Sequence, residues 1–185
     1  RLTNSVLGMA RNRTPTFEAT NLKVIVEESM FLLEREMTKY RIAVEMTLSD
    51  VPEIPAIGNQ IQQVLLNLLI NARQAMPNGG RLIVKLEHDP AAGVVDLIVR
   101  DNGCGIPADK LRRIFEPFFT TKNGPDETGK GGTGLGLAAC RNIIEAHRGK
   151  IRVESTVGKG TAFTLRLPTQ RKEPLAAPLT NTLTD

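Results

Sequence analysis

The stretch LLNLLINARQAM, Leu65 to Met76, is apolar enough to be buried, yet it carries Asn67 and Asn71 four residues apart. On a helix that spacing puts both carboxamides on one side, and Gln63 and Gln74 extend the same line. An unpaired amide in a core costs about 1–3 kcal/mol. The stretch therefore reads as a helix with one face on a core and a polar stripe that needs partners from elsewhere in the chain.

The flanks supply the layers around it. Upstream, the period of Leu22, Ile25, Val26, Ser29, Leu32, Leu33 and Glu36 predicts an amphipathic helix over 21–39. Ile42, Val44, Met46 and Leu48 alternate as a half-buried strand does. A proline-bearing loop over 50–58 leads into the central helix, with Asn59 as its expected N-cap. Downstream, Pro77-Asn78-Gly79-Gly80 is a stop and a turn. A hairpin of strands 81–87 and 94–100 follows, then a short helix over 108–114 and an irregular segment over 116–132. A helix over 134–147 and two strands, 151–155 and 161–167, joined at Gly158-Lys159-Gly160, complete the pattern. Hairpin-linked strands with interspersed helices predict an α+β two-layer sandwich: a mixed, mostly antiparallel sheet with about three helices on one face.

Three units are expected. Residues 1–19 read as the end of a preceding helix, with Leu2, Val6 and Met9 at heptad-like spacing, broken by Thr14-Pro15-Thr16 and followed by a linker. Residues 20–168 form the domain, and 169–185, with Pro174 and Pro178, read as a disordered tail.

Composition narrows the chemistry. The 185 residues are 41% hydrophobic, ordinary for a globular domain, with no run of membrane-spanning length. A net charge of +4 with 4% aromatics, the cations scattered, offers no stripe or stacking platform for nucleic acid. An anionic small ligand fits that mild excess better. Cys104 and Cys140 match no metal spacing and suggest free thiols in a reducing compartment, so a cytoplasmic location is expected. Two histidines, His88 and His147, exclude histidine-rich metal chemistry.

Three motifs could supply the stripe's partners. Asp101-Asn-Gly-Cys-Gly-Ile106 leaves a strand and can hold a carboxylate deep in a pocket, with glycine backbone free to approach a ligand; a tight turn with an Asx bond explains it equally. Gly131-Gly-Thr-Gly-Leu-Gly-Leu137 precedes a helix and suits either a phosphate cradle or a plain hinge. It is neither a P-loop nor a strand-preceded dinucleotide fingerprint. Between them, Phe115-Glu-Pro-Phe118-Phe119-Thr-Thr-Lys122 opens a segment long enough to be a functional lid, with Phe118 and Phe119 expected to anchor it by burial.

In this order the motifs resemble the ATP-binding catalytic domain of sensor histidine kinases, within the GHKL (Bergerat-fold) superfamily. Asn67-Leu-Leu-Ile-Asn71 is similar to the family's N box, Asp101-Asn-Gly-Cys-Gly105 to its first glycine box, Phe115–Phe119 to its F box, and Gly132–Leu137 to its second glycine box. Gly158-Lys-Gly-Thr161-Ala-Phe163 matches as well, and the resemblance covers about residues 20–168.

The resemblance implies ATP and Mg2+ as cofactors and a role for each matching position. Asn71 would be the metal ligand, supported by Asn67. Asp101 would accept from the adenine amino group beside Thr161, with Gly103 and Gly105 allowing close approach and Ile106 packing on the base. Gly132, Thr133, Gly134, Leu135, Gly136 and Leu137 would surround the phosphates, Gly134 to Gly136 through backbone N–H groups. Phe118 and Lys122 would border the nucleotide, Lys122 touching phosphate. Asn67, Asn71 and Lys122 would be the catalytic set.

Hydrolysing relatives in the superfamily carry glutamate where this chain has Asn67. A carboxamide cannot act as a general base, so the pocket is expected to hold ATP for another nucleophile. That nucleophile would be a histidine on a separate dimerisation domain of the parent chain, which in turn would serve a response regulator. His88, at a strand-end turn, and His147, at a helix end where it would act as a favourable charge, lack the acceptor's setting. The parent would be a homodimer, soluble or membrane-anchored, while the 185 residues alone would be monomeric and would not autophosphorylate. The alternatives are a non-catalytic nucleotide-binding regulatory module, a GHKL-type ATPase, or a serine kinase.

Overall fold

A computed structural model describes residues 15–119 and 136–171. The first helix, α1 (Leu22–Lys39), starts where Asn21 Oδ1 accepts the N–H groups of Lys23 (3.0 Å) and Val24 (3.3 Å). It is followed by strand β2 (Ile42–Leu48), after a short β1 (Glu18–Thr20) that precedes α1. β3 (Ile54–Ala56) pairs antiparallel with β1 to form a separate two-stranded sheet. The central helix α2 (Gly58–Ala75) leads to β4 (Gly80–Asp89), β5 (Val94–Asp101) and the single turn α3 (Ala108–Leu111). Helix α4 (Gly136–Ala146) and strands β6 (Lys150–Thr156) and β7 (Gly160–Pro168) close the described chain.

The main sheet has the order β2-β4-β5-β7-β6, with β2 and β4 parallel and every other pair antiparallel. A parallel pair requires a crossover, and α2 is the helix of that crossover. The expected mixed, mostly antiparallel sheet is thus present. Its inner face carries Leu82, Val84 and Leu86 from β4, Val95, Leu97 and Val99 from β5, and Phe163, Leu165 and Leu167 from β7. Against it pack Ile61, Val64, Leu65, Leu68, Leu69 and Ala72 of α2, with Leu22, Val26 and Met30 of α1 and Ile144 of α4. Each fully buried leucine contributes about 1.5–3 kcal/mol, so the apolar positions of the opening stretch hold the helical layer down.

Two local expectations are corrected. Asn59 lies inside the first turn of α2 and does not cap it; the cap residue is Ile57, which makes no side-chain bond to the helix. The α3 helix ends at Leu111, and turns replace the remainder of the expected helix over 108–114.

Candidate functional site

β5 alternates inward as Val95, Leu97, Val99 and then Asp101, so the strand that lines the core ends by pointing a carboxylate the same way. Asp101 is 6% exposed and sits opposite Thr161 in the β5–β7 register. Its Oδ1 accepts the N–H groups of Gly103 (2.8 Å) and Thr161 (3.3 Å), while Oδ2 takes no hydrogen bond among the described residues. Burial pushes the Asp101 carboxyl above its usual range, and the two N–H bonds oppose that shift.

The loop after Asp101 is shaped by two glycines. Gly103 lies so close to the end of α2 that a Cβ there would be 2.5 Å from the Ala75 carbonyl oxygen. Gly105 takes φ +74 and lies against the Thr156 backbone. The same loop is tied down by Cys104 N–H to Ala75 O (3.1 Å) and Gly158 N–H to Cys104 O (2.8 Å). Half-buried Ile106 packs on the core and donates its N–H to Ser155 Oγ at 2.8 Å.

On α2, Asn67 and Asn71 are half-buried and paired, the Asn71 Nδ2 donating to Asn67 Oδ1 at 3.0 Å. Gly136, the first residue of α4, abuts the Asn67 carboxamide, so a Cβ there would be 3.2 Å from Asn67 Cγ and closer still to its amide nitrogen. Gln63, by contrast, is exposed, while Gln74 at the other end of the stripe is half-buried. Thr161, Asp101, the glycine turn, the asparagine pair and the start of α4 are thereby held on one layer boundary. No group of three or more His, Cys, Asp or Glu side chains able to hold a metal exists among the described residues. The donor set fits a hard cation that arrives with its own phosphate oxygens and waters and takes one carboxamide oxygen from the protein.

Lys122, Gly132, Thr133, Gly134 and Leu135 lie outside the described residues. Leu137 is half-buried and packs on the core. Phe118 overturns the expectation of an anchor: it is 76% exposed, at φ +65. The anchoring side chains are Ile114, which is buried, and Phe115, edge-on to Phe163 with ring centroids 6.5 Å apart. Phe119 is half-buried beneath the Arg113 guanidinium, 4.6 Å from its ring.

One further residue, Ser155, escaped the sequence reading, and another, His147, takes a different role from the one expected. Ser155 sits opposite Thr161 across the β6–β7 turn, with the two hydroxyl oxygens 2.8 Å apart. The register implied by the Gly158–Gly160 turn was the one signal that could have found it. His147 is not a helix-end charge. It is 3% exposed, its Nε2 accepts the Ile57 N–H (3.0 Å), and Nδ1 contacts the Ile143 carbonyl oxygen (2.7 Å). That pairing requires a neutral imidazole with its proton on Nδ1, and burial lowers its pKa accordingly. Phe17 lies against the same ring, centroids 4.9 Å apart.

Residues 56–171 match the model of the histidine kinase-, DNA gyrase B- and HSP90-like ATPases. The chain belongs to that family. It is 38% identical over 177 residues to the sensor histidine kinase ZraS of Escherichia coli (strain K12), which aligns 94% of this chain with 36% of ZraS. The chain therefore spans well under half of that relative. The catalytic domain of the histidine kinase ThkA superposes with a TM-score of 0.72 at 33% identity, over 83% of this chain and 97% of that one. ThkA in complex with the response regulator protein TrrA gives 0.69 at 30%, over 83% of this chain and 42% of that one. Full-length ShkA in complex with AMPPNP gives 0.74 at 26%, over 92% of this chain and 34% of that one. The fold is that of a histidine kinase ATP-binding catalytic domain.

Proposed function

We propose that this domain binds Mg-ATP at the Asp101–Asn71 site and transfers the γ-phosphoryl group to a histidine on a separate dimerisation domain of its parent chain. The observation that carries the reading is the Asp101 carboxylate, placed on the inner face of the sheet with Oδ1 pinned by two N–H groups. Oδ2 would accept from the adenine amino group, and Ile106 would pack on the ring. Asn71 would hold the magnesium ion through its amide oxygen, oriented by the bond to Asn67; the ion's contribution is to neutralise phosphate charge. Gly136 would bring the N-terminus of α4 to the phosphates, where helix N–H groups favour an anion. By the resemblance, Lys122 and residues 132–135 would contact the phosphates, and Phe118 would border them.

Asn67 has no proton-accepting capacity, so water is left unactivated and the γ-phosphoryl group waits for a positioned histidine. Transfer of this kind depends chiefly on positioning and charge neutralisation. His88, at the end of β4, and His147, spent on holding Ile57, are not acceptors in this scheme. The acceptor domain lies in the parent chain, as a dimer, and passes the phosphoryl group to a response regulator; a supply of ATP puts the reaction in the cytoplasm. Residues 20–168 are the binding unit.

Calorimetric titration of the chain with Mg-AMPPNP tests the binding step, and absence of heat from a folded sample refutes it. Addition of the separately produced acceptor domain of the parent and radiolabelled ATP tests transfer. Acid-labile phosphohistidine is the expected product, and steady phosphate release without it would favour an ATPase.

A further inference from the structure

Ser155 makes three hydrogen bonds, and a hydroxyl has one proton and two acceptor positions. The Ile106 N–H donates to Ser155 Oγ at 2.8 Å and so occupies one acceptor position. The Gly160 carbonyl oxygen, 3.0 Å from Ser155 Oγ, can only accept, so it takes the one Ser155 proton. The third contact, to Thr161 Oγ1 at 2.8 Å, can then be made in one direction only: Thr161 donates to Ser155. The Thr161 hydroxyl proton is therefore committed to its neighbour strand, and only its lone pairs remain for a ligand. Beside it, Asp101 Oδ2 is an acceptor too.

We propose that Ser155 is a positioning residue that fixes Thr161 as a hydrogen-bond acceptor, so that the pocket floor selects a 6-amino purine and rejects a 6-oxo purine. This rests on the nucleotide reading of the Asp101 site. With position 6 facing both Asp101 Oδ2 and Thr161 Oγ1, a 6-amino group gives them its protons. A 6-oxo group instead meets them lone pair to lone pair, and its one donor on that edge, N1–H, lies at the next position along the ring. An acceptor facing an acceptor leaves both desolvated and unpaired, which is the costliest kind of mismatch. Removal of Ser155 frees the Thr161 hydroxyl to rotate and donate to the oxo group.

The test is the ratio of the dissociation constants of IDP and ADP, two ligands that differ at the base edge, measured by calorimetry on the 185-residue chain. The unaltered chain should prefer ADP. Ser155→Ala should narrow that preference by about tenfold, the worth of one hydrogen-bond inversion. Ser155→Thr, which keeps the hydroxyl, should restore it. In a Thr161→Val background, Ser155→Ala should leave the ratio unmoved, because no hydroxyl remains to be turned. A merely structural Ser155 would weaken ADP and IDP by the same factor, and that result overturns the proposal while leaving nucleotide binding intact. An unaltered, folded chain that binds neither ligand overturns the nucleotide reading, and this proposal with it. A melting curve for each variant separates misfolding from both. Ser155→Cys, which keeps the size and weakens the hydrogen bond to Thr161, should narrow the ratio in the same direction and carries the test if Ser155→Ala does not fold.

Discussion

Asp101→Asn should lose affinity for nucleotide without losing stability. The substitution keeps the shape, and the asparagine Oδ1 can still accept from Gly103 and Thr161. What changes is the charge and the second oxygen, which becomes a donor. In the free domain burial raises the Asp101 pKa above its ordinary 3.8, the two N–H bonds resisting. A folded-state pKa above the unfolded one means that the fold favours the protonated acid. That contribution is present below the unfolded pKa and is lost as pH rises through the folded one. At pH 7 the ionised carboxylate therefore costs stability, and asparagine removes the cost. The variant's melting temperature should equal or exceed that of the unaltered chain at pH 7, and the difference should shrink on acidification as Asp101 takes up its proton. In the bound state the charge-assisted bond at Oδ2 is replaced by a donor facing a donor. A hydrogen bond to a charged group contributes about 1.5–3 kcal/mol. At 1.4 kcal/mol per decade, the Mg-AMPPNP dissociation constant should rise about 10–100-fold. Melting by circular dichroism and titration calorimetry on the same samples read both arms. A variant that melts well below the unaltered chain yet binds within twofold of it would show that the carboxylate is structural, and the reasoning would fail.

Gly136→Ala should weaken Mg-AMPPNP by about tenfold with little change in melting, because the added methyl displaces the Asn67 carboxamide rather than the core; unaltered affinity would separate Asn67 from the site. His147 binds a proton less readily folded than unfolded, through burial first and Arg171 second, against the Ile143 carbonyl. Its stabilisation is complete above the ordinary 6.5 and declines as pH falls from there toward its lowered folded value, a slope that His147→Gln should remove from denaturant midpoints measured between pH 7.5 and 5. Cys140 is buried and its thiol is pushed up to about 12, whereas Cys104 is exposed, so a thiol reagent should titrate one cysteine in the folded chain and both in denaturant. Bound Mg-ADP should slow the reaction at Cys104, which lies between the two site glycines.

The periodic elements were legible because burial dictates their pattern. α1 and α2 show a helical period, and β4, β5 and β7 alternate toward one covered face, whereas in β2 the alternation of the sequence is not matched by burial, since Met46 is 49% exposed. Asp101 and the glycines after it were legible for the opposite reason, since a carboxylate and two glycines at a strand end break the pattern the strand sets up. β1 and β3 were not, because three residues are too few to show alternation and Pro55 reads as loop, although a two-stranded edge accommodates it. Asn59 misled because side-chain capping chemistry was present one residue inside a helix whose N-terminal N–H, at Ile57, is satisfied instead by the ring of His147, just past the end of α4. Phe118 misled because an aromatic pair suggests burial, and only Phe119 turns inward to any degree. Ser155 and His147 depend on contacts between residues 49 and 90 positions apart, which no local pattern carries.

β5 also works as a ruler. Its inward residues are counted off two by two from Val95 to Asp101, so the position of the acid is set by the length of the strand and not by the loop that follows. One residue inserted between Val95 and Asp101 would turn Arg100 into the core and Asp101 out to solvent. The same insertion in the 90–93 turn, at the far end of the hairpin, would leave the count untouched. Insertions and deletions along this hairpin should thus be tolerated at the turn and excluded from the strand, a pattern that a library of single-codon insertions would display directly.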